Sequence, residues 1–121
     1  MLENEELTYR IIGACFKVHQ ELGPVHKELV YQRALSLELK EQKLAFDKEV
    51  KIPIQYRKKT VGCYQPDFVI ENTVVLEIKA IPILAKNAED QIYFYLKGSK
   101  YKIGLLINFG SRKLDIRRRI Y

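Results

Sequence analysis

The sequence predicts an α/β fold with the element order ααβββαββ, in which a mixed central sheet is flanked by helices. Three observations support this prediction. Two helical patterns of apolar residues open the chain, a period-two pattern follows from Phe46, and one further helical pattern interrupts the later strands. The strand, helix and strand between Val74 and Asn108 can form a right-handed crossover, which favours a sheet that is at least partly parallel.

The first two helices follow from the spacing of their apolar residues. Residues 7–22 carry such residues at helical intervals, and Gly23 stops the pattern where a helix C-terminus is expected. A second pattern runs from about Lys27 to Gln42 with a wide apolar face, which is typical of a helix that packs on a sheet. Glu28 falls on the same stripe as Tyr31, so we expect this carboxylate to lean inward although it is charged.

Alternating apolar residues and the turns between them define the strands. We predict five strands: Phe46–Tyr56, Val61–Ile70, Val74–Ala80, Lys102–Asn108 and a terminal edge strand that contains Leu114, Ile116 and Ile120. Pro82 ends the third strand and leads into a helix from Leu84 to about Lys97, which Gly98 caps. Gln91 adjoins the apolar stripe of this helix, so its amide is expected to bond to backbone or to face a polar pocket.

The most informative spacing is Pro66-Asp67 followed, after nine residues, by Glu77-Ile78-Lys79. Side chains two apart on a strand share a face, so Glu77 and Lys79 project together. A three-residue loop at 71–73 would pair the flanking strands with Asp67 directly opposite Glu77. A two-residue loop would shift the pairing by one and send Asp67 to the other face, so the arrangement depends on register.

Two opposed carboxylates and one ammonium are suited to metal-assisted chemistry. Oxygen ligands at this spacing favour a hard divalent cation such as Mg²⁺, with Mn²⁺ as the alternative. Asp67 and Glu77 would hold the cation, Lys79 would orient a water or stabilise charge on a phosphate, and Glu28 would complete the metal shell through water. The alternative reading is that Glu77 and Lys79 are exposed positions of an amphipathic strand.

Composition limits the class of protein. A chain of 121 residues is long enough for one domain, residues 1–121, and its net charge of +6 favours a polyanionic partner. The acidic start lacks the order of a signal peptide and no apolar stretch approaches a membrane span, so we expect a cytoplasmic protein that does not enter a membrane. Cys15 and Cys63 lack metal-type spacing and are expected to be two buried thiols.

Six ordered blocks of the chain resemble the PD-(D/E)XK nuclease superfamily, and specifically its small branch of GxxExxY proteins. The blocks are Val18-His19 with Leu22-Gly23-Pro24, Glu28-Leu29-Val30-Tyr31 with Ala34-Leu35, Pro66-Asp67-Phe68, Leu76-Glu77-Ile78-Lys79-Ala80, Gln91-Ile92 with Tyr95-Leu96, and Gly104 to Gly110. One position departs from the pattern. The glycine three residues before the glutamate is Val25 here, and Gly23 is the residue that can replace it.

The resemblance implies a restriction-endonuclease-like core and metal-dependent hydrolysis of phosphodiesters. By the same resemblance Glu28 is similar to the helical acid of the family, Asp67 and Glu77 to its metal ligands, Lys79 to its catalytic lysine, and Gln91 to the polar residue that the next helix directs at the site.

Two other functions are compatible with the sequence: a non-catalytic nucleic-acid-binding or assembly module that keeps the nuclease fold, and a structural partner protein in which Lys79 alone bridges the acids. As the partner we favour nucleic acid, and DNA over RNA, although phosphate chemistry is common to both. The small surface of the chain also leaves a homodimer open.

Overall fold

The computed structural model describes residues 4–121 and confirms the α/β class. Three helices are present in this range: α1 (Asn4–Leu22), α2 (Glu28–Glu41) and α3 (Asp90–Leu96). The strands are β1 (Phe46–Asp47), β2 (Ile52–Tyr56), β3 (Lys59–Tyr64), β4 (Phe68–Ile70), β5 (Val74–Lys79), β6 (Ile103–Asn108) and β7 (Asp115–Ile120). No helix in the described part of the chain has the length and apolar character needed to cross a membrane.

The main sheet has five strands in the order β1-β4-β5-β6-β7. Strand β5 pairs antiparallel with β4 and parallel with β6, while β1 and β7 form antiparallel edges. The predicted mixed sheet is therefore confirmed. The passage from β5 through α3 to β6 is the predicted strand, helix and strand crossover, because it joins two parallel neighbours.

Helices cover both faces of the main sheet, and β5 shows how the faces are divided. Val74, Leu76 and Ile78 point into a core with α1 and α2, whereas Val75 points into a second core with Ile92 of α3. Glu77 and Lys79 continue the Val75 face by strand alternation. The acidic and basic side chains of β5 therefore lie on the α3 side of the sheet.

The predicted order of strands needs a correction, because two of the predicted strands are each divided between two sheets. Residues 46–56 form β1, which pairs with β4 in the main sheet, and β2, which pairs with β3 in a separate two-stranded sheet. Residues 61–70 are interrupted at 65–67, where Pro66 has no N–H group with which to continue a ladder. The observed order is ααβββββαββ.

The third helix is shorter than the prediction of Leu84 to about Lys97. Residues 86–89 are turns, and α3 begins at Asp90. The cause lies in the edge strand β7. The guanidinium of Arg117 donates hydrogen bonds to the carbonyl oxygens of Ala85 and Lys86, which a longer helix would use for its own amides.

The turn between α1 and α2 explains the departure at Val25. Gly23 adopts a φ of +70° and its N–H donates to the carbonyl of His19, which ends α1 in the left-handed conformation that glycine favours. Val25 is not among the residues with positive φ, so no glycine is needed there. The Tyr31 hydroxyl donates to the carbonyl of Gly23 and accepts from the N–H of His26. The Tyr31 hydroxyl therefore fastens this turn.

The end of β6 holds the segment that follows β5. The buried Asn108 side chain accepts a hydrogen bond from the N–H of Ile81 and donates to the carbonyl of the same residue. The N–H of Phe109 donates to the carbonyl of Lys79. Gly110 lies so close that an added Cβ would stand 2.3 Å from the backbone nitrogen of Ile81. These contacts fix the backbone directly after Lys79.

We predict that Gly110→Ala destabilises the protein by about 1 to 3 kcal/mol, because the new methyl group forces two backbone segments apart. Gly13→Ala is the matched control, since a Cβ at this position in α1 meets nothing within 4 Å. The control should raise stability by roughly 0.5 to 1 kcal/mol, as alanine is the better helix former. Urea unfolding measures both changes, and equal stability of the two variants would contradict the clamp.

Candidate active site

The β4–β5 hairpin brings the predicted carboxylates together. Ile70 pairs with Val74 and Phe68 with Leu76, so the loop consists of the three residues 71–73, as predicted. Extension of this register by one pair sets Asp67 against Glu77. The N–H of Asp67 donates to Oε1 of Glu77 at 3.0 Å, and the N–H of Ile78 donates to Oδ2 of Asp67 at 2.7 Å. Each carboxylate is thus held by backbone of the opposite strand.

The surroundings of the two carboxyl groups disfavour their charged forms. Burial and, after it, the negative charge of Asp67 together raise the pKa of Glu77 to about 7, against the hydrogen bond from the Asp67 N–H. The pKa of Asp67 is also raised, chiefly by burial, although its bond from Ile78 and the charge of Lys79 oppose the shift. A half-buried acidic pair with raised pKa values has negative charge that the protein leaves incompletely balanced.

Two lysines supply positive charge near the pair. Lys79 lies two residues after Glu77 on the same face of β5 and lowers the pKa of both carboxyl groups. Lys48 acts on Asp67 in the same sense, and its Nζ lies 5.2 Å from the ring centre of Phe68. The structure therefore brings Asp67, Glu77 and Lys79 together on one surface and adds Lys48, which the sequence pattern did not reveal.

Tyr64 is a further residue that sequence reasoning missed. It ends β3 at the point where the chain turns toward Pro66, and its buried hydroxyl makes no hydrogen bond with any residue of the 4–121 range. Burial and the nearby Glu77 carboxylate raise the pKa of this hydroxyl, but the contact falls short of hydrogen-bond geometry. A buried donor without a partner beside an acidic pair is a natural contact for a bound water.

Gln91 reaches this cluster only through aromatic rings. Its Nε2 donates to the hydroxyl of Tyr95 at 3.0 Å, and the Tyr95 ring stacks on Tyr64 with centroids 4.0 Å apart. The Gln91 side chain itself is exposed and makes no hydrogen bond to Asp67 or Glu77. The expected contact with the site is therefore indirect.

Glu28 does not join the acidic pair. It is the first residue of α2, is exposed, and its side chain makes no hydrogen bond with the described residues. Gln32, one turn further along α2, lies beside Asp67 where Glu28 is predicted to lie. Its Nε2 donates to Oδ1 of Asp67 at 3.1 Å. Spacing was the available signal, since Gln32 is four residues after Glu28 and lies on the same side of the helix. In residues 4–121 no three His, Cys, Asp or Glu side chains are grouped so as to hold a metal ion.

The oxygen atoms of the pair nevertheless fit a hard divalent cation that takes only one or two of its ligands from the protein. Both acids offer oxygen. Oδ1 and Oδ2 of Asp67 accept hydrogen bonds from Gln32 and Ile78, and Oε1 of Glu77 accepts one from Asp67, whereas Oε2 of Glu77 accepts none from residues 4–121. Mg²⁺ is commonly held by one or two carboxylates and keeps waters or substrate phosphates in its other positions. The raised pKa values and the unpartnered Tyr64 hydroxyl agree with such a ligand set.

The two cysteines differ in burial. Cys15 is fully buried in α1, and burial raises the pKa of its thiol to about 12. Cys63 in β3 is exposed, so the expectation of two buried thiols is wrong for this residue. The reason is that β3 lies outside the main sheet and only its last residue is buried.

Comparison with protein families gives one match. The model of the PD-(D/E)XK nuclease superfamily matches residues 5–119, which is nearly the whole chain and includes every residue of the site described above. No match is found among curated proteins or among solved structures.

We predict that Glu77→Gln stabilises the metal-free protein above pH 7 and has little effect near pH 4. The folded protein raises the pKa of Glu77 from 4.5 to about 7 and so favours the protonated carboxyl. The stability that protonated Glu77 contributes is fully present below pH 4.5 and is lost as the pH rises through 7. Glutamine stays neutral and avoids this loss, which is on the order of 1 to 3 kcal/mol. Urea unfolding at both pH values in EDTA gives the comparison. Glu21→Gln, an exposed change on α1, is the control, and a parallel response of both variants would refute the assignment.

Proposed function

The chain belongs to the PD-(D/E)XK nuclease superfamily, and on that basis we propose that it is a metal-dependent nuclease that hydrolyses phosphodiester bonds of nucleic acid. The observation that carries the proposal is the half-buried pair of Asp67 and Glu77 with raised pKa values, directly followed on the same strand face by Lys79. A protein without use for a cation has no reason to keep two such acids side by side.

In this proposal Asp67 and Glu77 hold Mg²⁺, with Mn²⁺ as a substitute. When bound, the cation polarises a phosphoryl oxygen and acidifies the attacking water. Lys79 stabilises the negative charge that develops on the phosphate and orients the water. The backbone bonds from the N–H groups of Asp67 and Ile78 fix the directions of the two carboxylates before substrate arrives.

Other residues support these roles. Gln32 orients Asp67 by its hydrogen bond to Oδ1. The buried Tyr64 hydroxyl has no partner within residues 4–121 and would be able to donate to a water beside Glu77. Gln91 acts through Tyr95, which braces the Tyr64 ring. Glu28 remains a proposed ligand through water, since it lies on the same side of α2 as Gln32, one turn nearer the N-terminus.

Several finer assignments belong to the same proposal. Two features support the assignment to the GxxExxY branch: the six blocks, and Gly23, which adopts a positive φ two residues before the position where Val25 stands in place of the glycine of the pattern. We further propose one domain over residues 1–121, DNA as the favoured substrate, a cytoplasmic location and a homodimer.

A non-catalytic nucleic-acid-binding module is the second candidate, and the placement of Glu28 is what favours it. The exposed Glu28 leaves the pair without a third acid within the described residues. A binder of this kind would use its positive charge on phosphates and would show salt-dependent affinity without cleavage.

We predict that the purified chain cleaves nucleic acid when Mg²⁺ or Mn²⁺ is added, and that Asp67→Asn and Lys79→Met each reduce cleavage by at least about a hundredfold, the usual scale for the loss of one group that stabilises the transition state. Labelled single- and double-stranded DNA and RNA serve as substrates. The control is Glu21→Gln, which should cleave like the unchanged protein.

Calorimetric titration with Mg²⁺ separates the two candidates. Asp67→Asn should lose metal binding, whereas Lys79→Met should bind the metal normally and lose only the chemical step. If the unchanged protein binds nucleic acid, takes up no cation and cleaves none of the substrates, the nuclease is refuted and the binding module is favoured.

A further inference from the structure

The hairpin of β2 and β3 stands apart from the rest of the fold. Its strands pair only with each other, from Ile52 with Tyr64 at the base to Tyr56 with Lys59 at the tip. Ile52 and Tyr64 are buried, while the remaining residues are exposed or half-buried on both faces. A two-stranded sheet that is open on both faces is rarely stable on its own, so contact with a partner would explain why this one projects.

The tip of the hairpin concentrates positive charge. Arg57 and Lys58 form the two-residue turn with φ values of 50° and 66°, and Lys59 begins β3. None of the three is in an ion pair with a residue of 4–121, and Arg57 lies 5.1 Å from the ring centre of Tyr56. Both turn positions have the left-handed conformation for which Asn-Gly is the preferred sequence. Local conformation therefore does not account for two cations there, whereas a polyanionic partner would.

One face of the hairpin leads from the acidic pair to this tip. Alternation from the base places Tyr64, Ile54 and Tyr56 on the same face, and Lys59 pairs with Tyr56. Tyr64 lies beside Glu77, so the face begins at the candidate active site. Five residues of strand span about 17 Å, which corresponds to about five base pairs along a duplex. A bulge between Ile54 and Gln55 adds twist to the outer half.

We propose that the β2–β3 hairpin is an arm that lies in the major groove of duplex DNA and sets its tip cations against the phosphates that flank the groove. The major groove admits a two-stranded ribbon, whereas the minor groove of DNA is about half as wide and the major groove of duplex RNA is too deep and narrow for side chains. The proposal rests on the nuclease function, because it positions the backbone that Asp67 and Glu77 would act on.

The test removes the charge and preserves the turn. Arg57→Asn combined with Lys58→Gly deletes two cations and installs the sequence that this turn type prefers, so the hairpin itself should remain folded. The matched control, Lys43→Asn with Lys113→Gln, also deletes two exposed cations, and Lys43 has a φ of 59° that asparagine accepts. Fluorescence anisotropy in EDTA measures the affinity of each protein for duplex and single-stranded DNA at several salt concentrations.

We expect the hairpin variant to reduce the salt slope of duplex binding by about two, at about 0.9 for each lost phosphate contact, and the control to leave it nearly unchanged. The two variants should bind single-stranded DNA alike. A duplex whose cytosines carry glucosylated hydroxymethyl groups, which fill the major groove, should bind the unchanged protein more weakly. Equal duplex slopes for the two variants, or equal affinity for the filled groove, would overturn the proposal.

Cleavage assays of the same proteins keep the two hypotheses separate. If the unchanged protein cleaves duplex DNA and the hairpin variant matches the control in both binding and cleavage, only the arm is refuted. If duplex binding depends on the hairpin but no protein cleaves with Mg²⁺ or Mn²⁺, the nuclease is refuted and the arm stands. If the unchanged protein neither binds nor cleaves any nucleic acid, both are refuted.

Discussion

The pairing register of β4 with β5 is the constraint on which the candidate site depends. The three-residue loop at 71–73 sets Asp67 against Glu77, and both Glu71 and Asn72 adopt positive φ values to close it. A slip of one residue would exchange Phe68 and Ile70 with Val69 between the two cores, so the packing of these unequal side chains favours the observed register. The packing that stabilises the hairpin therefore also places the carboxylates. The side chains that pack in the core, Phe68 and Ile70, differ from the carboxylates of the candidate site, and the strand pairing connects the two sets.

The far end of β5 is fixed by different contacts. Asn108 bonds to both backbone groups of Ile81, and Gly110 allows that segment to approach the end of β6. Lys79 lies between the register-controlled hairpin and this clamp, so its backbone is held on both sides. In the role proposed for it, the Lys79 ammonium on its flexible side chain would gain from such support, because misplacement by an ångström can cost a large part of the rate.

The sequence predicted those parts of the fold that local patterns determine. The first two helices, the buried strand β6 and the three-residue loop follow from periodicity and turn length, and the structure reproduces them. The division of the strands at 65–67 and the late start of α3 depend on Pro66 and on Arg117, whose partners are 31 and 32 residues away. Within the site, Asp67, Glu77 and Lys79 were predictable because they share one hairpin. Gln32, Lys48 and Tyr64 come from three other segments. Gln32 could be found only by its four-residue spacing from Glu28, and no local spacing connects Lys48 or Tyr64 to the hairpin.

The exposure of Glu28 and the placement of Gln32 together indicate how the site balances its charge. A third carboxylate beside Asp67 would raise the pKa values of an already strained pair, whereas the Gln32 amide donates a hydrogen bond and adds no charge. With a neutral partner in that position, the two nearby lysines oppose the charge of the two acids and no third acid adds to it before a cation binds. A site built in this way would hold a divalent ion more strongly with a phosphate than without one, because the phosphate supplies further negative charge to the ion. Metal binding and substrate binding would then be coupled.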